Sequence, residues 1–149
     1  SLSEISVLLG GLENSFTTIS SKLHQDLSFQ IPNISTPNLT IQGSKNTVRA
    51  VLICLFQSAH FFAGNRGSLT MQSSLSKKGL EVIFRANQMQ YKTKKPSLLI
   101  QIKDFEDEDK LYPVLLLYRK FLQALVDISK IEIHEKIDGG SYEGKLSIV

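Results

Sequence analysis

The chain has 149 residues, 42% of them hydrophobic, which is enough for one compact domain with its own core. Lysine and arginine total 17 against 14 acidic residues, and a net charge of +3 does not indicate nucleic acid or a membrane surface as a partner. A single cysteine, Cys54, excludes an internal disulfide, and no apolar run approaches the roughly 20 residues that cross a bilayer. We therefore expect residues 1–149 to form one cytoplasmic domain.

The chain opens with helical periodicity. A capping-box pattern at residues 1–4 precedes one apolar helical face, which collects Leu9, Leu12, Phe16, Ile19 and Leu23. Alternation over residues 27–31 then predicts a short strand that ends before Pro32, and residues 39–41 predict a second one. His24 is interpreted as a surface residue late in the first helix.

A second helix is predicted from Ser44 to Phe62. Its apolar positions recur at spacings of three and four: Val48, Val51, Leu52, Leu55, Ala59 and Phe62. After the break at residues 64–67, period-two alternation on both sides of the turn at residues 76–79 predicts a hairpin.

Residues 87–113 show no regular period, with a basic run at 91–96 and an acidic run at 104–109. Helical spacing returns over residues 111–129, and a second hairpin is predicted around the turn Asp138-Gly139-Gly140. The resulting order of elements predicts an α+β fold, a two-layer α/β sandwich in which a mixed sheet carries about three helices on one face.

The second predicted helix carries a motif with a known counterpart. Residues 54–62, CLFQSAHFF, resemble the pattern Asn-Leu-Leu-x-Asn-Ala-x-x-Phe of the ATP-binding domain of sensor histidine kinases in their apolar positions. Cys54 and Ser58 stand where the two asparagines belong. The order of elements from about residue 21 to residue 149 is also similar to that family, which implies a Bergerat-type (GHKL) fold.

The resemblance implies that the ligands of this motif and of a second one are missing. In the family, the later asparagine holds Mg²⁺, and Ser58 would be a shorter and weaker oxygen donor at that place. The second motif, Asp-x-Gly-x-Gly after a strand, places its adenine-binding aspartate at Ala86 and its glycines at Gln88 and Gln90.

The third motif of the family, Gly-x-Gly-Leu, serves the phosphates and aligns its glycines with Leu116 and Tyr118. No register restores it, because the sequence has no glycine between Gly79 and Gly139. We therefore expect a pseudo-ATPase without catalytic residues, cofactor or metal, in which Leu116, Tyr118 and Phe84 fill the former pocket.

The function implied is that of a non-catalytic module acting through a protein partner in a signalling assembly, with no nucleic acid and no membrane contact. One alternative is a divergent but active kinase or ATPase that holds the phosphates of Mg-ATP with Lys92, Lys94 and Lys95, although such basic runs are more commonly solvated loops. A second alternative is an unrelated α/β interaction domain. None of the three histidines has a cysteine or another histidine at the spacing of metal ligands, and the acidic run lacks the pattern of a calcium loop. No metal site is therefore expected.

Overall fold

A computed structural model describes residues 2–30, 45–76, 79–88, 120, 124, 131–138 and 140–148. Two helices and five strands follow one another in these ranges: α1 (Leu2–Ser21), β1 (Asp26–Gln30), α2 (Lys45–Ala63), β2 (Ser68–Ser76), β3 (Gly79–Ala86), β4 (Glu132–Asp138) and β5 (Ser141–Ile148). None of the helices in these ranges is long and apolar enough to cross a membrane.

The strands form one mixed sheet in the order β1-β2-β3-β5-β4. β1 runs parallel to β2, and the other neighbouring pairs are antiparallel. The parallel pair arises because α2 returns the chain to the same end of the sheet between β1 and β2, as a crossover connection requires. The predicted α+β fold with a mixed sheet is confirmed.

The core lies between one face of the sheet and the two helices. Strand β3 alternates strictly between buried and half-buried side chains, so every second residue faces the helices. Three rings form the centre: Phe16 of α1 stacks on Phe56 of α2 with ring centroids 3.9 Å apart, and Phe84 of β3 meets both rings edge-on at 5.8 and 6.2 Å. These contacts tie both helices to the central strand.

The predicted helix from residue 44 to 62 is confirmed as α2, and both predicted hairpins are confirmed as β2–β3 and β4–β5. The predicted strand at 39–41 lies outside the described residues. So does most of the predicted helix at 111–129, of which the structure describes Lys120 and Ala124, both helical.

One placement from the sequence was wrong. α1 ends at Ser21, so His24 does not lie in the helix; it lies in the following turn, with a φ of 51°. The reason is local: the backbone N–H groups of Leu23 and Gln25 both donate to the carbonyl oxygen of Ser20, which closes the chain into a turn before β1. His24 is exposed, as expected.

Candidate functional site

The two residues at the asparagine positions lie one turn apart on α2. Ser58 is fully buried, and its hydroxyl donates a hydrogen bond to the carbonyl oxygen of Cys54 at 3.0 Å. Cys54 is also buried, and burial raises the pKa of its thiol above the ordinary value of 9.0, so the thiol is protonated at neutral pH. Neither side chain supplies the carbonyl or carboxylate oxygen that Mg²⁺ prefers.

Ala86, at the aspartate position, is the last residue of β3. In the sheet register it lies between Leu69 of β2 and Tyr142 of β5, and all three residues are buried. Its methyl group cannot accept a hydrogen bond, so this position cannot bind an adenine amino group as a carboxylate would. Leu69 lies six residues after the end of α2, and Ala86 is its partner in the sheet. Ala86 therefore lies at the same end of the sheet as the C-terminal part of α2.

Beyond β3 the chain is held to β2 by two further contacts. The backbone N–H of Asn87 donates to the carbonyl oxygen of Ser68 at 3.1 Å, and its side-chain amide donates to the Ser68 hydroxyl at 2.9 Å. Gln88, at the first glycine position, is exposed in a bend.

The other residues singled out from the sequence have different outcomes. Phe84 is buried in the three-ring cluster between sheet and helices. Six positions lie outside the described residues, and the statements about them stay predictions: Gln90, Lys92, Lys94, Lys95, Leu116 and Tyr118.

Sequence reasoning missed a polar contact at this end of the sheet. The side-chain amide of Gln25 donates to the carbonyl oxygens of His60 and Gly64 at 2.8 and 2.9 Å, and its Oε1 lies 2.6 Å from Nδ1 of His60. Because the amide nitrogen of Gln25 is the donor in two bonds, Oε1 accepts, and His60 carries a proton on Nδ1. Gln25 therefore caps the C-terminal end of α2, at the carbonyl of His60 in its last turn and at that of Gly64 just beyond the helix. The partners are 35 and 39 residues apart, and no local pattern signals their contact.

Replacing Gln25 by alanine should lower the free energy of unfolding by about 1–3 kcal/mol, because two carbonyl groups and one imidazole lose their partner at once. The measurement is urea unfolding followed by circular dichroism. Gln30→Ala, an exposed glutamine on the adjoining strand, is the matched control and should stay within about 0.5 kcal/mol of the parent. Equal effects of the two variants would contradict the capping role.

His60 also predicts a pH dependence. Burial, and secondly the charge of Lys22, lower the pKa of His60 below its ordinary value of 6.5. The unfolded chain therefore takes up this proton at a higher pH than the folded chain does. Stability is complete above about pH 6.5 and falls as the pH drops below that value. Urea unfolding at pH 7.5 and 5.5 should show a larger loss for the parent than for His60→Gln, whereas equal losses would exclude His60 as the source.

A buried polar pair fixes the β4–β5 hairpin beneath α2. The Tyr142 hydroxyl donates to the Glu135 carboxylate at 2.5 Å, and both residues are buried. The tyrosine passes over Gly144, where an added β-carbon would lie 2.6 Å from its hydroxyl oxygen and 3.2 Å from a methyl carbon of Leu55. Glycine at this position thus allows the tyrosine to reach Glu135.

The opposite face of the sheet carries a surface ion cluster. Glu143 pairs with Arg85 at 2.5 Å and with Lys136 at 3.5 Å. Partial burial raises the pKa of Glu143, but the hydrogen bond from Arg85 and the charge of Lys136 outweigh it and hold the pKa below 4.5. Arg85 is thus engaged within the sheet.

No protein-family model and no curated protein sequence matches the chain. Solved structures share its fold. The catalytic domain of the histidine kinase ThkA, in a nucleotide-free form, matches with a TM-score of 0.66 at 14% identity, over 97% of this chain and 92% of that one. The Acinetobacter baumannii histidine kinase AdeS matches with a TM-score of 0.63 at 14% identity, over 97% of this chain and 64% of that one.

A mycobacterial sensor histidine kinase, MprB, matches with a TM-score of 0.62 at 10% identity, over 97% of this chain and 92% of that one. Identities this low establish likeness of fold and leave chemistry to the residues themselves. The agreement covers nearly the whole chain, whereas the resemblance in the sequence began at about residue 21. The chain therefore has the fold of histidine-kinase catalytic domains.

Proposed function

We propose that this chain is a non-catalytic domain with the histidine-kinase fold, which has lost ATP binding and acts through protein contacts in a signalling assembly. The observation that carries the proposal is that the motif positions within the described residues hold no side chain suited to binding Mg²⁺ or adenine. Ser58 directs its hydroxyl to its own helix, Cys54 is buried and protonated, and Ala86 presents a methyl group.

The chemistry of nucleotide binding supports this proposal. Mg²⁺ bridges phosphates and takes hard oxygen ligands, and a serine hydroxyl already bonded at 3.0 Å inside a helix would have to break that bond to serve. An adenine amino group placed against Ala86 would lose its bonds to water without gaining a partner from that residue, at a cost of about 1–3 kcal/mol. Such a cost corresponds to about 5- to 150-fold in affinity.

The sequence adds a third consideration. Phosphates bind at helix N-termini where glycines let the backbone approach closely, and no glycine is available between Gly79 and Gly139. A domain that keeps its core but loses its contacts to metal, base and phosphate can still bind other proteins through its surface. The proposal includes a cytoplasmic location for a single domain, which agrees with the unpaired thiol of Cys54.

Thermal unfolding with and without millimolar Mg-ATP tests the proposal. A ligand at 100 times its dissociation constant stabilises the folded state by about 2.7 kcal/mol, which raises the midpoint by about 5 °C or more for a chain of this size. We expect no shift for this chain and a clear shift for a nucleotide-binding histidine-kinase catalytic domain measured in parallel. A shift abolished by the triple replacement Lys92→Ala, Lys94→Ala and Lys95→Ala would instead establish the active alternative.

A further inference from the structure

Two tight turns meet at the end of the sheet where α1 and α2 finish. One turn leads from α1 into β1 and the other from α2 into β2. The backbone N–H of Arg66 in the second turn donates to the carbonyl oxygen of Leu23 in the first at 2.8 Å, and that of Asp26 donates to the carbonyl oxygen of Gly67 at 2.9 Å. The Gln25 cap joins the same two segments, so the two turns are held as one unit.

Both turns contain a residue in the left-handed backbone region. His24 has a φ of 51° and Arg66 a φ of 61°, and they are the non-glycine residues with positive φ in the described part of the chain. Glycine would adopt these angles without cost, whereas a side chain with a β-carbon is strained there. Strain of this kind is typically retained where the side chain serves a function. Both side chains are exposed and directed to solvent, so packing does not account for them.

With histidine counted as neutral, the side chains at these turns carry two positive charges, Lys22 and Arg66, against one negative charge, Asp26. Lys22 is exposed in the turn that follows α1, near enough to His60 for its charge to act on that ring. We call Lys22, His24 and Arg66 the basic turn cluster. Across residues 20–26 and 60–68, which form the two turns and their flanks, the one acidic residue is Asp26. The cluster therefore presents a net positive surface on a rigid, hydrogen-bonded frame.

We propose that the basic turn cluster binds an acidic segment of a protein partner through the carboxylates of that segment. Arginine forms paired hydrogen bonds with a carboxylate, and a frame ordered before binding reduces the entropy lost on association. A protein fits better than a nucleic acid because Phe61 and Phe62 are half-buried and buried, and the imidazole of His24 alone is too little for a platform on which successive bases stack. The choice of a protein as partner rests on the proposed function, but the site is distinct from the nucleotide motifs.

The test uses the strain of the two turns to separate binding from folding. The double variant His24→Gly with Arg66→Gly removes two side chains while glycine accepts both backbone angles, so its melting temperature should equal or exceed that of the parent. The probe is a fluorescein-labelled hexaglutamate peptide, followed by fluorescence anisotropy at 20 mM NaCl. We expect the parent to bind with a Kd of about 1 mM or below and the double variant to bind about tenfold more weakly. Binding by the parent should disappear at 0.5 M NaCl.

A matched pair of variants assigns the effect to this place. Arg66→Gln and Arg49→Gln remove the same charge from two exposed arginines, and Arg49 lies in the N-terminal half of α2, away from the turns. We expect the first variant to weaken peptide binding and the second to leave it unchanged. Absent binding by the parent, unchanged binding by the double glycine variant, or equal losses in the two arginine variants would overturn the inference. Tighter binding of an oligothymidine than of the peptide would overturn it in favour of nucleic acid.

Because the peptide assay contains no nucleotide, its outcome is independent of the proposed loss of ATP binding. A chain that binds Mg-ATP and also binds the peptide at the basic turn cluster would refute the proposed function and leave this inference standing. A chain that binds neither Mg-ATP nor the peptide would agree with the proposed function and overturn this inference.

Discussion

Replacing Ala86 by aspartate is expected to lower the free energy of unfolding by about 3 kcal/mol or more. The new carboxylate would lie in the central strand between Leu69 and Tyr142, both fully buried or nearly so. The hydroxyl nearest in the register, that of Tyr142, already donates to Glu135. In a domain built to hold adenine this carboxylate would face a ligand, whereas here it meets side chains that cannot neutralise it.

Two controls separate the contributions of charge and size. Ala86→Asn introduces a side chain of the same size without charge, and should cost less than the aspartate at neutral pH. Asn87→Asp introduces the same charge one residue later at an exposed position, and should stay within about 0.5 kcal/mol of the parent. Chemical unfolding monitored by circular dichroism gives all three values. An Ala86→Asp variant as stable as the parent would show that a polar space is open beside this residue.

Replacing Phe84 by alanine is expected to cost about 3–5 kcal/mol, the usual range for deleting a buried ring. Phe84 is the contact that joins the stacked pair Phe16 and Phe56 to the sheet, so its removal leaves a cavity bordered by both helices. Urea unfolding should show the loss as a lower midpoint with little change in slope. Ile83→Ala, next along β3 but facing the other side of the sheet, is the matched control and should cost clearly less.

A loss of less than about 1 kcal/mol for Phe84→Ala, or an equal loss for Ile83→Ala, would contradict the placement of this ring at the centre of the core. The result also bears on the proposed function. Phe84 is one of the residues predicted to fill the former pocket. A large loss of stability in Phe84→Ala would agree with a tightly packed interior next to α2.

Amphipathic spacing and turn chemistry were sufficient to predict most of the described fold. α2 spans 19 residues with a continuous apolar face, so its predicted ends differ from the observed ones by one residue each. The two hairpins could be predicted from Gly79 and from the glycines before Ser141, because glycine adopts the backbone angles that short connections need. The apolar positions of residues 54–62 also carried the resemblance to histidine-kinase domains, whose fold the chain has.

Features that depend on long-range pairing could not be read from the sequence. The pairing of β1 with β2 and of β3 with β5 defines the sheet order, and no local pattern specifies it. The Gln25 cap of α2 joins residues 35 or more positions apart. His24 was placed in a helix because its neighbours continue the helical spacing, whereas local hydrogen bonds to Ser20 close a turn there, which the bond from Arg66 to Leu23 joins to the second turn.

The most direct measurement of the central claim is a nuclear magnetic resonance titration with Mg-ATP, observed at the methyl group of Ala86 and the backbone amide of Ser58. These two signals report on the adenine and metal positions separately, so attraction of phosphates to surface lysines would not be mistaken for occupation of the site. We predict that neither signal moves at 5 mM Mg-ATP, a concentration of about 100 times the Kd for a 50 μM site. Saturable shifts of both signals would contradict the claim that this fold has lost its nucleotide.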